Sequence, residues 1–163
     1  MLDIDKKKVL LRAKVKDGNI DSFHGLIQEK HVAKDFDIEI KENQVILKDG
    51  FTIKSINLAS HLKGCKKATL FAATIGDNFN NTTELKSAFG TEAIEALGDK
   101  ICKDIEKKAK SITHRFSVGF GDWDLNDQKK ILDLLKTDFI QLSNNNMMSP
   151  KKTITAIVGW KNL

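Results

Sequence analysis

At 163 residues the chain has the length of one ordinary domain, enough to bury a core without disulfides or a structural metal. Hydrophobic residues at 40% and charged residues at 30% are the balance of a folded soluble chain and exclude a disordered one. The formal net charge of +5 raises the question of nucleic acid, but the lysines are scattered as on solvated faces, tyrosine is absent, and no helix-turn-helix, zinc-finger or RNP-like pattern occurs; an acidic protein partner suits the charge better.

In chain order, "DKKKVLLRAKVK" predicts a short helix closed by Gly18, and "NIDSFHGLIQEKHVAKD" a second, with Phe23, Leu26, Ile27 and His31 on one stripe. The period then changes from helical to alternating. "FDIEI" and "QVILKD" read as half-buried strands, and Ser55 is placed to cap a short helix through "INLASHL" that ends at Gly64. "KKATLFAATIGDN" is the most hydrophobic stretch and predicts a central strand stopping at Gly76.

From about Thr83 to Lys110 runs the longest helical pattern, with Ile94, Leu97, Ile101 and Ile105 recurring on one face. Gly90 and Gly98 weaken its propensity, which implies either a break near Gly90 or close packing against a neighbour. Asp124 and Asp127 have capping-box spacing before the helix "QKKILDLLK". "DFIQLS" and "KTITAIVGW" are strand-like, the latter with Ile154, Ala156 and Val158 on one face and Ile157 on the other; between them the single proline pushes Ser149 into an extended conformation. Mixed strands and helices without regular βαβ alternation predict an α+β fold with a largely antiparallel sheet, in a single domain over residues 1–163.

No apolar run approaches the length of a bilayer span, and the start "MLDIDKKKVLLRAKV" lacks the continuous apolar centre of a signal peptide, so a cytoplasmic protein away from membranes is expected. Cys65 and Cys102 have no CxxC partner and read as free thiols; the lysines of "KGCKK" offer a route to a reactive Cys65, although a small residue at a helix-to-strand turn is the simpler reading. His24, His31, His61 and His114 belong to no metal or triad motif, so neither a metal centre nor a catalytic constellation is expected.

"RFSVGFGDW", Arg115 to Trp123, suits binding better than bond-making. Arg115 can clamp a carboxylate or phosphate through its two-pronged guanidinium, Gly119 and Gly121 permit close backbone approach, and Phe120 and Trp123 offer faces to a flat ring or a cation. Composition alone favours a plainer account of the same residues: a glycine turn whose aromatics plug the core, with Arg115 exposed.

"RFSVGFGDW" followed by a helix, then "QLSNNNMMSPKKTITAIVG", resembles the reactivation domain of cobalamin-dependent methionine synthase, and more closely its free-standing relatives; "LASHLKGCKKATLFAATIG" matches their pattern too. The resemblance covers roughly Phe51 to Trp160 and leaves the first 50 residues aside. It implies an unusual α+β fold around a twisted antiparallel sheet and binding of S-adenosylmethionine. It also implies docking over the cobalamin of a partner, a corrinoid-dependent methyltransferase such as methionine synthase, with one electron from a flavodoxin- or ferredoxin-type donor.

By position, the resemblance implies that Arg115 holds the methionyl carboxylate and that Ser117, Gly119 and Phe120 line the donor site, with Trp123, Asn144 and Met148 as pocket or docking residues. Three positions depart from the family pattern. Phe120 replaces a tyrosine, keeping the ring and losing a hydroxyl; Asn144 replaces a glutamate, removing a negative charge; Val158 stands where the long enzymes have a second tyrosine. Met147 and Met148 also suit core filling. An adapter that docks on a corrinoid protein without binding S-adenosylmethionine is the competing expectation.

Overall fold

The computed structural model describes residues 1–161. Six strands form one sheet: β1 (Lys30–Lys41), β2 (Gln44–Leu47), β3 (Thr52–Lys54), β4 (Lys67–Thr74), β5 (Phe116–Ser117) and, past a small separate ribbon of β6 (Gln141–Leu142) and β7 (Met148–Ser149), β8 (Thr153–Gly159). Their order is β3-β2-β1-β4-β8-β5, and each neighbouring pair is antiparallel. The helices are α1 (Lys6–Ala13), α2 (Asp21–His24), α3 (Ile56–His61), α4 (Glu84–Ala109) and α5 (Asp127–Leu135). The chain is thus α+β with an antiparallel sheet.

Strand β4 explains the most hydrophobic stretch of the sequence. It lies between β1 and β8 with both faces covered, and every residue after Lys67 is buried, so a near-continuous apolar run replaces alternation. Phe71 and Ala73 face a core shared with Ile94, Leu97, Ile101 and Ile105 of α4. Ala68, Leu70 and Ala72 face a second core, with Leu58 and Leu62 around α3 and Ile131 and Leu135 of α5. Strand β8 serves both: Ile154, Ala156 and Val158 face the first core and Ile157 the second, as its alternation implies.

The long helix is unbroken over 26 residues, so its glycines serve close packing. A Cβ on Gly90 would lie 3.1 Å from the Phe79 ring, and one on Gly98 would lie 1.6 Å from Arg115 Nη1. Ser55 caps α3 as expected, its hydroxyl accepting from Leu58 N at 2.9 Å. Among the described residues no helix is long and apolar enough to cross a membrane.

Four local expectations need correction. The second helix stops at His24, and Lys30 onward is strand: eight β1 residues pair with β4, a tertiary demand that local period does not encode. Phe23, Leu26 and Ile27 do pack on the α4-side core, whereas His31 is exposed on β1. Helix α1 ends at Ala13, five residues before Gly18, and Lys14 after it takes the left-handed conformation at φ 56°. No capping box forms at α5. Asp124 accepts from Asn126 N, and Asp127 accepts from Trp123 Nε1 and Lys130 Nζ. Of "DFIQLS" only Gln141 and Leu142 are strand, paired to β7 outside the main sheet; Ser149 is extended in β7, as Pro150 requires.

Candidate functional site

The Arg115–Trp123 stretch lies along the open edge of the sheet. Phe116 pairs with Ile157 and Ser117 with Ala156, and alternation sends Phe116 into the α5-side core while Arg115 and Ser117 take the α4 side. The chain then turns back, with Phe120 N donating to Ser117 O and Trp123 N to Phe120 O, both at 3.1 Å. Gly119 at φ 82° and Gly121 at φ 56° adopt left-handed conformations that a side chain would strain.

Asp122 holds this turn in place. Its carboxylate accepts from Ser55 Oγ at 2.5 Å, Ile56 N at 2.7 Å and Asn57 N at 3.1 Å, at the N-terminus of α3, where free backbone N–H groups favour an anion. The hydrogen bond from Ser55, followed by those from the backbone amides, lowers its pKa below the ordinary carboxylate value despite some opposing desolvation.

Arg115 is held from the other side of the sheet. Its guanidinium lies over α4 at Gly98, with Nη2 2.8 Å from Glu95 Oε2 and 3.2 Å from Asp99 Oδ1. The side chain is 21% exposed, and the two acids are half or more exposed. One helical turn on, burial pushes the Cys102 thiol up to about 11, against the opposing field of Arg115. Cys65 is buried against Gly159, and desolvation raises its pKa, in keeping with the simpler reading of a small residue at a helix-to-strand turn.

The structure brings Arg115, Ser117, Gly119 and Phe120 together on one sheet edge. Phe120 is 68% exposed, its ring edge-on to Phe116 at 5.3 Å. Trp123 follows the plainer expectation of a core-filling aromatic and not that of a face offered to a ligand. It is 2% exposed, packs in the second core beside Phe116 and donates to Asp127 Oδ2 at 3.1 Å, so its face is closed to a ligand. Val158, where the long enzymes have tyrosine, is wholly buried.

The hairpin of β6 and β7 is tied to the segment after Trp123. Asn146 Nδ2 donates to Asn126 Oδ1 at 2.9 Å, while Gln128 donates to Met148 Sδ at 3.0 Å and accepts from Thr155 Oγ1 at 2.6 Å. Met148 is thus half-buried among side chains. Asn144 stands at the hairpin tip and opens onto a groove of about 640 Å³ beside α5, across the sheet from Arg115 and α4. Exposed Leu125 and Met147 lie on these two connected loops, and exposed Phe120 in the glycine turn just before them.

Sequence reasoning missed Glu95, Asp99 and Asp122. The acids do bracket Gly98 at helical spacing, a legible signal once α4 is drawn as a helix, but nothing local pairs them with Arg115. Asp122 is found only through the packing of its turn on α3.

No family model matches the chain, and no curated protein matches its sequence. Among solved structures it is similar to the MetH reactivation domain bound to AdoHcy, with a TM-score of 0.64 and 10% identity, covering 84% of this chain and 60% of that one. The chain therefore spans less than two thirds of that structure's length. At this identity the likeness concerns architecture: the chain has the fold of the MetH reactivation domain.

Proposed function

We propose that the chain binds S-adenosylmethionine at the sheet edge around Arg115 and serves the reductive remethylation of a corrinoid-dependent methyltransferase such as methionine synthase. The observation that carries this reading is the placement of Arg115 and Ser117 beside an open glycine turn, on a fold whose solved counterpart binds AdoHcy. The residues fit the group. Arg115 retains N–H donors for the methionyl carboxylate, and Ser117, Gly119 and Phe120 are exposed residues, Phe120 with 68% of its surface open. When bound, S-adenosylmethionine supplies an activated methyl group. The chain's task is to hold and orient it, for which no general base is needed.

The corrinoid cofactor belongs to the partner, and the electron to a flavodoxin- or ferredoxin-type donor. One observation favours the adapter reading instead: Arg115 already has two carboxylate partners within the chain, so its charge is balanced without a ligand. Mixing the protein with a Co(II) corrinoid partner, a one-electron reductant and S-adenosylmethionine separates the two. Growth of the methylcobalt absorbance, abolished by Arg115→Ala, supports remethylation. Stable association with the corrinoid protein without methylcobalt, and without calorimetric heat at millimolar S-adenosylmethionine, supports the adapter.

A further inference from the structure

Strand β1 is paired along both edges only in its last part. β4 pairs with Lys30–Asp37, while β2 joins the opposite edge from Ile38 to Lys41. Flanking hydrogen bonds show which backbone groups the uncovered edge presents. Gln28 N donates to Ile75 O and Ile38 N to Lys66 O, both at 2.9 Å, so even-numbered residues between them direct their N–H and C=O groups towards β4. Asp37 O accepts from Lys48 N at 2.9 Å on the other edge, so odd-numbered residues direct theirs outward. His31, Ala33 and Asp35 are all exposed, and among the described residues their backbone N–H and C=O groups have no partner.

The side chains along this edge carry a charge pattern. Lys30, Val32 and Lys34 share a face with Phe36, and Val32 packs partly on the α5-side core. Lys30 and Lys34 are exposed and make no ion pair among the described residues; Lys34 lies over the Phe36 ring at 5.2 Å. On the opposite face Asp35 already accepts from Thr69 Oγ1 at 2.7 Å. Edge lysines deter a basic strand and favour an acidic one. A second copy of the chain does not fit. Antiparallel self-pairing of His31 with Asp35 sets Glu29 opposite Asp37, whose carbonyl is taken by Lys48 N; centred on Val32 instead, it sets Lys30 directly against Lys34.

We propose that the outer edge of β1 from Lys30 to Phe36 binds an extended acidic segment of a partner protein, added antiparallel as a further strand. The outward backbone groups of His31, Ala33 and Asp35 supply the affinity. Lys30 and Lys34 supply the specificity: they select acids four residues apart, with an apolar residue midway between them opposite Val32. Lys48, bonded at Asp37, closes the edge and keeps the added strand short. In the order β1-β4-β8-β5 this edge is separated from Arg115 by two strands, so the proposal stands independently of S-adenosylmethionine binding.

The test is an amide-resolved NMR titration with a capped seven-residue peptide carrying glutamate at its second and sixth positions, valine at its fourth and threonine elsewhere, beside the same peptide with lysines for the glutamates. The glutamate peptide is expected to bind saturably and, at low salt, about tenfold or more tightly than the lysine peptide. Hydrogen-exchange protection should rise at His31, Ala33 and Asp35 and stay unchanged at Val32 and Lys34. Lys30→Glu/Lys34→Glu should reverse the preference between the peptides. Ala33→Pro should abolish binding, since it removes an outward N–H and no bond to β4; the charge reversal carries the test if that variant fails to fold. No saturable shifts at millimolar glutamate peptide, equal binding of the two peptides, or protection of His31, Ala33 and Asp35 that rises with protein concentration alone overturns the proposal.

Discussion

Replacing Gly98 by alanine sets helix propensity against a binding geometry. In the middle of α4 alanine is favoured over glycine by about 0.5–1 kcal/mol. The added Cβ would lie 1.6 Å from Arg115 Nη1 and 2.9 Å from Ile154 Cδ1. The first conflict is relieved by swinging away the end of a long side chain, at the loss of ion pairs worth about 0.2–1 kcal/mol each at this exposure. The second asks the isoleucine tip for a small adjustment, about 1 kcal/mol, the low end of overpacking costs. Gain and losses partly offset, leaving a net loss of between about 0.5 and about 2.5 kcal/mol, each kcal/mol being roughly 2–4 °C in thermal midpoint for a chain of this size. On the proposed reading, affinity for S-adenosylmethionine should nonetheless fall at least about tenfold, because the guanidinium has lost its seat. Urea denaturation with parallel calorimetry reads both quantities. Unchanged affinity would refute the claim that the seat on α4 orients Arg115; a loss of stability beyond about 3 kcal/mol would refute the claim that the displaced side chain yields cheaply.

Two further outcomes follow from the depressed and elevated pKa values. Asp122 has its folded-state pKa lowered, so the stability it contributes is present above the unfolded carboxylate pKa of about 3.9 and is lost as pH falls through the folded value. Asp122→Asn should therefore lower the denaturation midpoint at neutral pH and narrow its difference from wild type at acid pH; a difference that persists undiminished at acid pH would contradict this. Cys102, with its thiol at about 11, should be alkylated slowly by iodoacetamide in the native protein at pH 8 and at the ordinary thiol rate once unfolded, whereas rapid native labelling of Cys102 would show that its burial is overstated.

What the sequence disclosed follows from where its residues find their partners. The β4 and α4 segments were legible because both carry dense apolar patterns whose meaning is local: a run covered on two faces, and a stripe repeating at helical spacing. The segment after His24 misleads because Phe23, Leu26 and Ile27 do pack on one core, while the choice of strand from Lys30 onward is made by β4, whose paired residues lie 30 to 44 positions away. Arg115, Ser117, Gly119 and Phe120 were readable as a group because they are consecutive on one turn. Trp123 leaves two readings open in the sequence because an indole that closes a core and one that offers its face look alike until burial is known; here it closes the core. Glu95 and Asp99, 20 and 16 residues before Arg115, acquire their role only when a helix and a sheet edge pack together.

The carboxylate of Asp122 fixes the glycine turn to α3, on one face of the sheet, while Arg115 is fixed to α4 on the other. The turn and the guanidinium therefore act like the jaws of a caliper mounted on separate bodies. The span between them is set by how α3 and α4 seat across the layer of β4 and β8, whose residues fill both cores. Trimming a side chain such as Leu70 or Ala156 in the cores would reset that span, so in the proposed site tolerance for ligand size would be a property of core thickness as much as of the residues at the opening.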